Sequence, residues 1–132
     1  MNIYGIGVDI IDNRRIKKLI KKKSFLKRIY SKNELKNIKT KKNKILFLAK
    51  RFSAKEAFVK SLGSGFRNKL CFNDISILND KKGKPYFKFN QNIKNILKKK
   101  YKLKKFKAYL SLSDEKTYSI SYVILNKLKW KK

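Results

Sequence analysis

Two carboxylates stand in the segments of this chain that lysine dilutes least: Asp9, in the run Gly5-Ile6-Gly7-Val8-Asp9, and Glu56, in the run from Arg51 to Gly63. They are two of only eight acidic residues set against 38 Lys and Arg. With no His and one Cys, imidazole and thiol chemistry are almost excluded, while a hard cation held by carboxylate oxygens stays open. Lys60 follows Glu56 by four residues and so shares its face of a helix. An ordinary surface ion pair has the same spacing and is worth roughly 0.3–0.5 kcal/mol. Against that reading, the pair continues an apolar stripe through Leu48 and Phe52, so it points toward packed structure, where a carboxylate needs a cation. Asp9 has two readings of its own. It either caps a helix or turn, or it supplies a second oxygen ligand that, with Glu56, leaves most of the octahedral sites of Mg²⁺ to water and a phosphate.

The elements that must position these groups follow from periodicity. Tyr4, Ile6, Val8 and Ile10 alternate with Ile3, Gly5, Gly7 and Asp9, which predicts a strand with one buried face and Asp9 on the other. Asn13 is placed to cap a helix whose stripe is Ile16, Leu19 and Ile20, with Arg14, Arg15, Lys17, Lys18, Lys21 and Lys22 around it. A short helix is expected over Phe25–Tyr30, and Ser31 to Glu34 has capping-box spacing for another. The strongest helical pattern runs from about Asn43 to Leu62, apolar on two sides, as a central helix would be. Gly63-Ser64-Gly65 ends it. Beyond, Asp74–Asn79 and Pro85–Phe89 read as strands joined by a turn over Asp80–Lys84. A helix around Ile93, Ile96, Leu97 and Tyr101 follows, then strands near Ala108–Leu112 and Tyr118–Leu125.

A length of 132 residues suits one domain over 1–132, and a 42% hydrophobic fraction suffices for a core despite 35% charged residues. The formal charge of +30 invites a nucleic-acid reading. Thirty-three of the 38 cations are Lys, however, and they are spread along the whole length, which describes a compositional bias more than one selected patch. No RNA-binding signature accompanies them, so no specific nucleic acid is expected. The charge still steers acidic partners. One Cys cannot form an internal disulfide, no apolar run reaches membrane-spanning length, and the first residues lack the pattern of a signal peptide, so a soluble cytoplasmic chain is expected.

Several smaller features carry weak signals. Gly63-x-Gly65 follows a helix C-terminus, where the dipole disfavours anions, so a nucleotide-triphosphate loop is excluded; phosphate binding there would need Lys60, Arg51 and loop N–H groups. Gly83-Lys84-Pro85 is a turn entering a strand, and Ser111-Leu112-Ser113-Asp114-Glu115 a strand end. Cys71 reads as a small buried side chain, and Trp130 as part of a basic tail that can fray.

Taken together, GIGVDIIDNRRI at Gly5–Ile16, RFSAKEAFVKSLGSG at Arg51–Gly65, FNDISILNDKKGKP at Phe72–Pro85 and LSLSDEKTYSISYVIL at Leu110–Leu125 resemble the holo-(acyl-carrier-protein) synthases, the small bacterial phosphopantetheinyl transferases. The resemblance spans nearly the full chain. It implies the α+β phosphopantetheinyl transferase fold, a small antiparallel sheet packed with a long central helix. It also implies transfer of 4'-phosphopantetheine from coenzyme A to a serine of an acyl carrier protein, in support of fatty acid biosynthesis. Mg²⁺ on Asp9 and Glu56, Lys60 at the coenzyme phosphates, and Gly63, Gly65, Lys84 and Pro85 near the coenzyme follow from the same likeness; Arg51 is added to the phosphate contacts on its charge beside that loop. The family further implies a homotrimer with sites between subunits and carrier docking at Arg15, to which Lys18, Lys21 and Lys22 are added on charge. Where many relatives have His, this chain has Asp114, followed by Glu115, so that histidine's role does not carry over.

Overall fold

A computed structural model describes residues 2–63 and 70–129. In chain order it forms β1 (Asn2–Asp12), α1 (Asn13–Leu19), α2 (Lys23–Ile29), α3 (Lys32–Asn37), α4 (Lys44–Leu62), β2 (Ile75–Asn79), β3 (Pro85–Phe89), α5 (Gln91–Tyr101), β4 (Phe106–Asp114) and β5 (Tyr118–Lys127). The strands make two antiparallel sheets, one ordered β1-β5-β4 and one a β2-β3 hairpin. This is the mixed α+β architecture expected, with α4 at its centre.

Helix α4 earns its position from its composition. Thirteen of its 19 residues are buried, on more than one side. One side meets β1 and β5, and Phe58 packs on the other against Phe87 and Phe89 of β3, with ring centroids 5.4 and 4.9 Å away. Asn43 caps its start by accepting from the Leu46 N–H, and Gly63 closes its end at φ 84°, a left-handed conformation that glycine adopts at low cost.

The first strand overturns one expectation. Its α4-facing side is not Tyr4, Ile6, Val8 and Ile10 but Gly5, Gly7, Asp9 and Ile11, while Ile6, Val8 and Ile10 are 58%, 55% and 60% exposed. The reason is steric. A Cβ on Gly5 would overlap the Ser61 carbonyl oxygen, and one on Gly7 would overlap that of Ala57. Backbone meets backbone here, and no larger side chain fits. Ser53 donates its hydroxyl to the Asp9 carbonyl at 3.2 Å, one further step along. Two strand residues advance about 6.7 Å and four helical residues about 6 Å, so Gly5, Gly7 and Asp9 mesh in turn with Ser61, Ala57 and Ser53. The outer face of the same sheet carries Ile6, Val8 and Ile10 beside Tyr109, Ile120 and Tyr122, all exposed.

The three short helices cover one end of α4. Asp12, not Asn13, caps α1: its carboxylate accepts from the Arg14 N–H at 2.9 Å and also binds the Arg14 guanidinium, which holds its carboxyl down at about 2. Asn13 instead ties α1 to β5, accepting from the Ser119 hydroxyl at 2.7 Å. Ser31 and Glu34 form the capping box expected for α3. Cys71 is exposed rather than buried, because the turn before β2 sends Leu70 and Phe72 inward on either side of it.

Candidate active site

Asp9 and Glu56 arrive at one place from separate elements. The mesh of β1 with α4 sets Asp9 against the last turns of the helix, where Lys60 Nζ lies 3.1 Å from Asp9 Oδ1 and 3.1 Å from the Val8 carbonyl oxygen. Lys60 thus crosses to the strand instead of pairing with Glu56 along the helix. Glu56 is half-buried, and its carboxyl is pushed above the usual carboxylate range by that burial first and by the charge of Asp9 second, while Lys60 and Arg15 pull it back. A half-buried carboxylate whose proton affinity burial and a second carboxylate raise is what a divalent cation would relieve.

The donor set fits that role. Among the described residues no group of three or more His, Cys, Asp or Glu side chains converges. A cation held by Asp9 and Glu56 would therefore take most of its oxygens from elsewhere, which would suit Mg²⁺ and a bound phosphate. A cavity of about 530 Å³ opens beside Glu56, with Arg15 and Arg28 on its wall and Phe25, Phe52 and Phe72 among its apolar lining. Two larger grooves, of 810 and 730 Å³, contain none of Asp9, Glu56 or Lys60. Chemistry, not volume, selects the smaller one.

The remaining expected residues are dispersed. Lys18 lies on α1, and Lys21 and Lys22 in the turn between α1 and α2; all three are exposed, and none lines the cavity. Gly63 is the αL cap of α4, and Gly65 lies outside the described residues, as does Trp130. Gly83, at φ 85°, and Lys84 complete the turn into Pro85 and β3. Arg51 is a correction to the expected phosphate contact. It is 4% exposed, its guanidinium is stacked 3.6 Å from the centroid of Phe47, and it donates to Asn79 Oδ1 at 2.6 Å. Asp114 pairs with Lys50 at 3.0 Å at the end of β4, away from the Glu56 cavity.

One buried group escaped the sequence reading. Lys55, next to Glu56, is fully buried, donating to the Ile29 carbonyl oxygen at 2.6 Å and to Glu34. Glu34 also accepts from the Ser31 N–H at 3.0 Å and the Ile77 N–H at 3.1 Å, so one carboxylate joins α3, β2 and α4. The pair is 21 residues apart, and the capping-box spacing of Glu34 was its only local sign.

The profile of the 4'-phosphopantetheinyl transferase superfamily matches residues 5–123, which include both carboxylates, Lys60, the whole of β4 and part of each of β1 and β5. This chain belongs to that superfamily. Among phosphopantetheinyl transferase relatives, the holo-(acyl-carrier-protein) synthase of Pelagibacter ubique is 52% identical over 96% of this chain and 99% of that protein. The crystal structure of the Neisseria meningitidis holo-(acyl-carrier-protein) synthase is 36% identical and superposes with a TM-score of 0.86, covering 96% of this chain and all of that one. A Bacillus anthracis holo-(acyl-carrier-protein) synthase solved in complex with CoA (3',5'-ADP) is 33% identical, with a TM-score of 0.79 over 96% of this chain and 98% of that one. The transferase fold anticipated from sequence is thus the fold observed.

Proposed function

We propose that this chain is a Mg²⁺-dependent holo-(acyl-carrier-protein) synthase, one domain over residues 1–132, that moves 4'-phosphopantetheine from coenzyme A to a serine of an apo acyl carrier protein. The observation that carries the reading is the pairing of Lys60 with Asp9 beside a half-buried Glu56, whose proton affinity is raised by burial and then by the charge of Asp9. When bound by Asp9 and Glu56, Mg²⁺ supplies charge neutralisation for a diphosphate. The serine oxygen forms a bond to the phosphorus that bears pantetheine, and the bond from that phosphorus to the bridging oxygen breaks, so adenosine 3',5'-bisphosphate leaves with that oxygen. Glu56 is the acceptor for the serine proton. Lys60, more than half exposed, is free to swing from Asp9 to the phosphates. Gly63, Gly65, Lys84 and Pro85 border the coenzyme in this reading.

Arg15, on the wall of the Glu56 cavity, receives the acidic carrier, and Lys18, Lys21 and Lys22 steer it, so association slows as salt rises. The exposed apolar outer face of the β1-β5-β4 sheet supports self-association as a homotrimer, since such a patch marks an interface. No helix among the described residues is long and apolar enough to cross a membrane, in keeping with a cytoplasmic role in fatty acid biosynthesis.

The test incubates the protein with apo carrier, coenzyme A and Mg²⁺ and weighs the carrier. A gain of one phosphopantetheine is expected from the wild-type protein. Glu56→Gln should lower transfer by at least ~10²-fold with an unchanged circular dichroism spectrum. Near-normal turnover in that variant removes Glu56 from the chemistry.

A further inference from the structure

Buried arginine is costly to keep, and a hydrophobic residue of similar size packs as well or better. Arg51 nevertheless sits in the interior on the same helix as Glu56 and Lys60, with its Nη2 on Asn79 Oδ1 at 2.6 Å and its Nη1 3.4 Å from the Phe47 carbonyl oxygen. Its Nε finds no partner, so packing alone does not account for it. The bond continues outward. Asn79, the last residue of β2, donates its Nδ2 to the Gly83 carbonyl oxygen at 2.9 Å. Asn79 therefore uses both ends of its amide, one toward α4 and one toward the β2–β3 turn.

The turn itself is closed by its own bonds. Asp80 Oδ1 accepts from the Lys82 and Lys84 N–H groups, both at 2.9 Å, and the Asp80 N–H donates to the Lys84 carbonyl oxygen at 2.9 Å. Lys84 has its backbone N–H and carbonyl both engaged, which fixes where its exposed side chain starts. A rigid turn is useful only if its orientation to the helix is also fixed, and within this set the side chain spanning that gap is Asn79.

From this we infer that Arg51 and Asn79 are positioning residues: they hold the Asp80–Pro85 turn in register with α4, so that Lys84 meets the coenzyme phosphates at a set distance from Glu56 and Lys60. The inference rests on the transfer reading above for the identity of the ligand. It assigns Arg51 an indirect part in coenzyme binding, through Asn79, where the sequence suggested a direct one.

Asn79→Asp separates the two bonds. The substituted carboxylate still accepts from Arg51 but has no N–H for Gly83, whereas Asn79→Ala loses both. Calorimetry with coenzyme A and Mg²⁺ should give roughly tenfold weaker binding for Asn79→Asp, comparable to Lys84→Ala, as loss of a preorganised contact predicts. The Asn79→Asp/Lys84→Ala double variant should be little weaker than either single one, because the two act as a unit. Amide exchange at Lys82–Lys84 should quicken in Asn79→Asp while the melting temperature stays near wild type and KM for the carrier is unchanged. Wild-type coenzyme affinity with an unchanged turn in Asn79→Asp overturns the inference, as does full additivity in the double variant. Carrier mass on the same samples keeps the two ideas apart. A wild-type protein that binds coenzyme A but leaves the carrier unmodified sinks the transfer reading alone, and one that does not bind coenzyme A sinks both.

Discussion

Lys55 and Lys60 of α4 each meet a carboxylate from another element, and their surroundings are opposite. Lys55 and Glu34 are both 0% exposed, whereas the Lys60 side chain is 54% exposed and that of Asp9 14%. Burial depresses the Lys55 ammonium to about 8 even though Glu34 raises it. That pair is held by four hydrogen bonds across α2, α3 and β2 and has no room for another ligand. Among the described residues Lys60 bonds to Asp9 and the Val8 carbonyl, at 3.1 Å each, and is otherwise open to solvent. One ion pair braces the helix. The other can open at little cost, which a site that admits a cation and a phosphate requires.

The contrast is broken most severely at Glu34. Glu34→Ala leaves a buried ammonium without its anion and should cost about 3–5 kcal/mol in urea unfolding. Replacing both partners, Glu34→Leu with Lys55→Met, should restore much of that loss, because removing both charges also removes their desolvation. A double variant as unstable as Glu34→Ala would mean that the bonds to Ser31 and Ile77, not the charge, hold the region.

The next effect is on protonation. In metal-free protein the Glu56 carboxyl should titrate above its ordinary 4.5, followed by carbon-13 NMR, and Asp9→Asn should move it down by removing the second-largest cause. The sign for stability follows. A carboxyl whose folded value is raised binds more protons folded than unfolded between the two values, so Glu56 makes the metal-free protein less stable as pH rises through that window. Added Mg²⁺ should shift the titration downward.

The smallest effect is expected at the open pair. Lys60→Ala should change unfolding stability by no more than ~0.5 kcal/mol, since an exposed pair is screened by solvent. In the same variant coenzyme binding should weaken clearly. A large loss of stability there would make Lys60 a second brace and erase the contrast.

Sequence reading reached much of this because local rules governed it. The span of α4, its Gly63 cap, the β2–β3 hairpin and the Ser31–Glu34 box are all set by neighbours within a few residues. Where tertiary packing decided, the reading failed. Alternation in β1 groups Ile6, Val8 and Ile10 on one face, but which face meets α4 depends on how close a helix backbone comes, and only glycine permits that approach. Asp12 and Asn13 are both good caps, and the extended backbone of Asp12, at φ −76° and ψ 118°, decides between them. Arg51 looked like a phosphate ligand because cations on a motif usually face outward; its stacking on Phe47 and its bond to Asn79 involve contacts no spacing announces. For the site, Asp9, Glu56 and Lys60 were legible as candidates, yet the bond from Lys60 to Asp9 spans 51 positions and needed the fold.

The near-equal pitch of β1 and α4 has a consequence for length changes. Inserting one residue before Asp9 would turn its carboxylate outward with the isoleucines, and inserting two would restore the facing but offset it by a whole turn of the helix. Tolerance to insertion in this stretch is therefore quantised, and neither small step returns the Asp9 carboxylate to its place beside Lys60. The spacing from Gly5 to Asp9 behaves like the teeth of a gear.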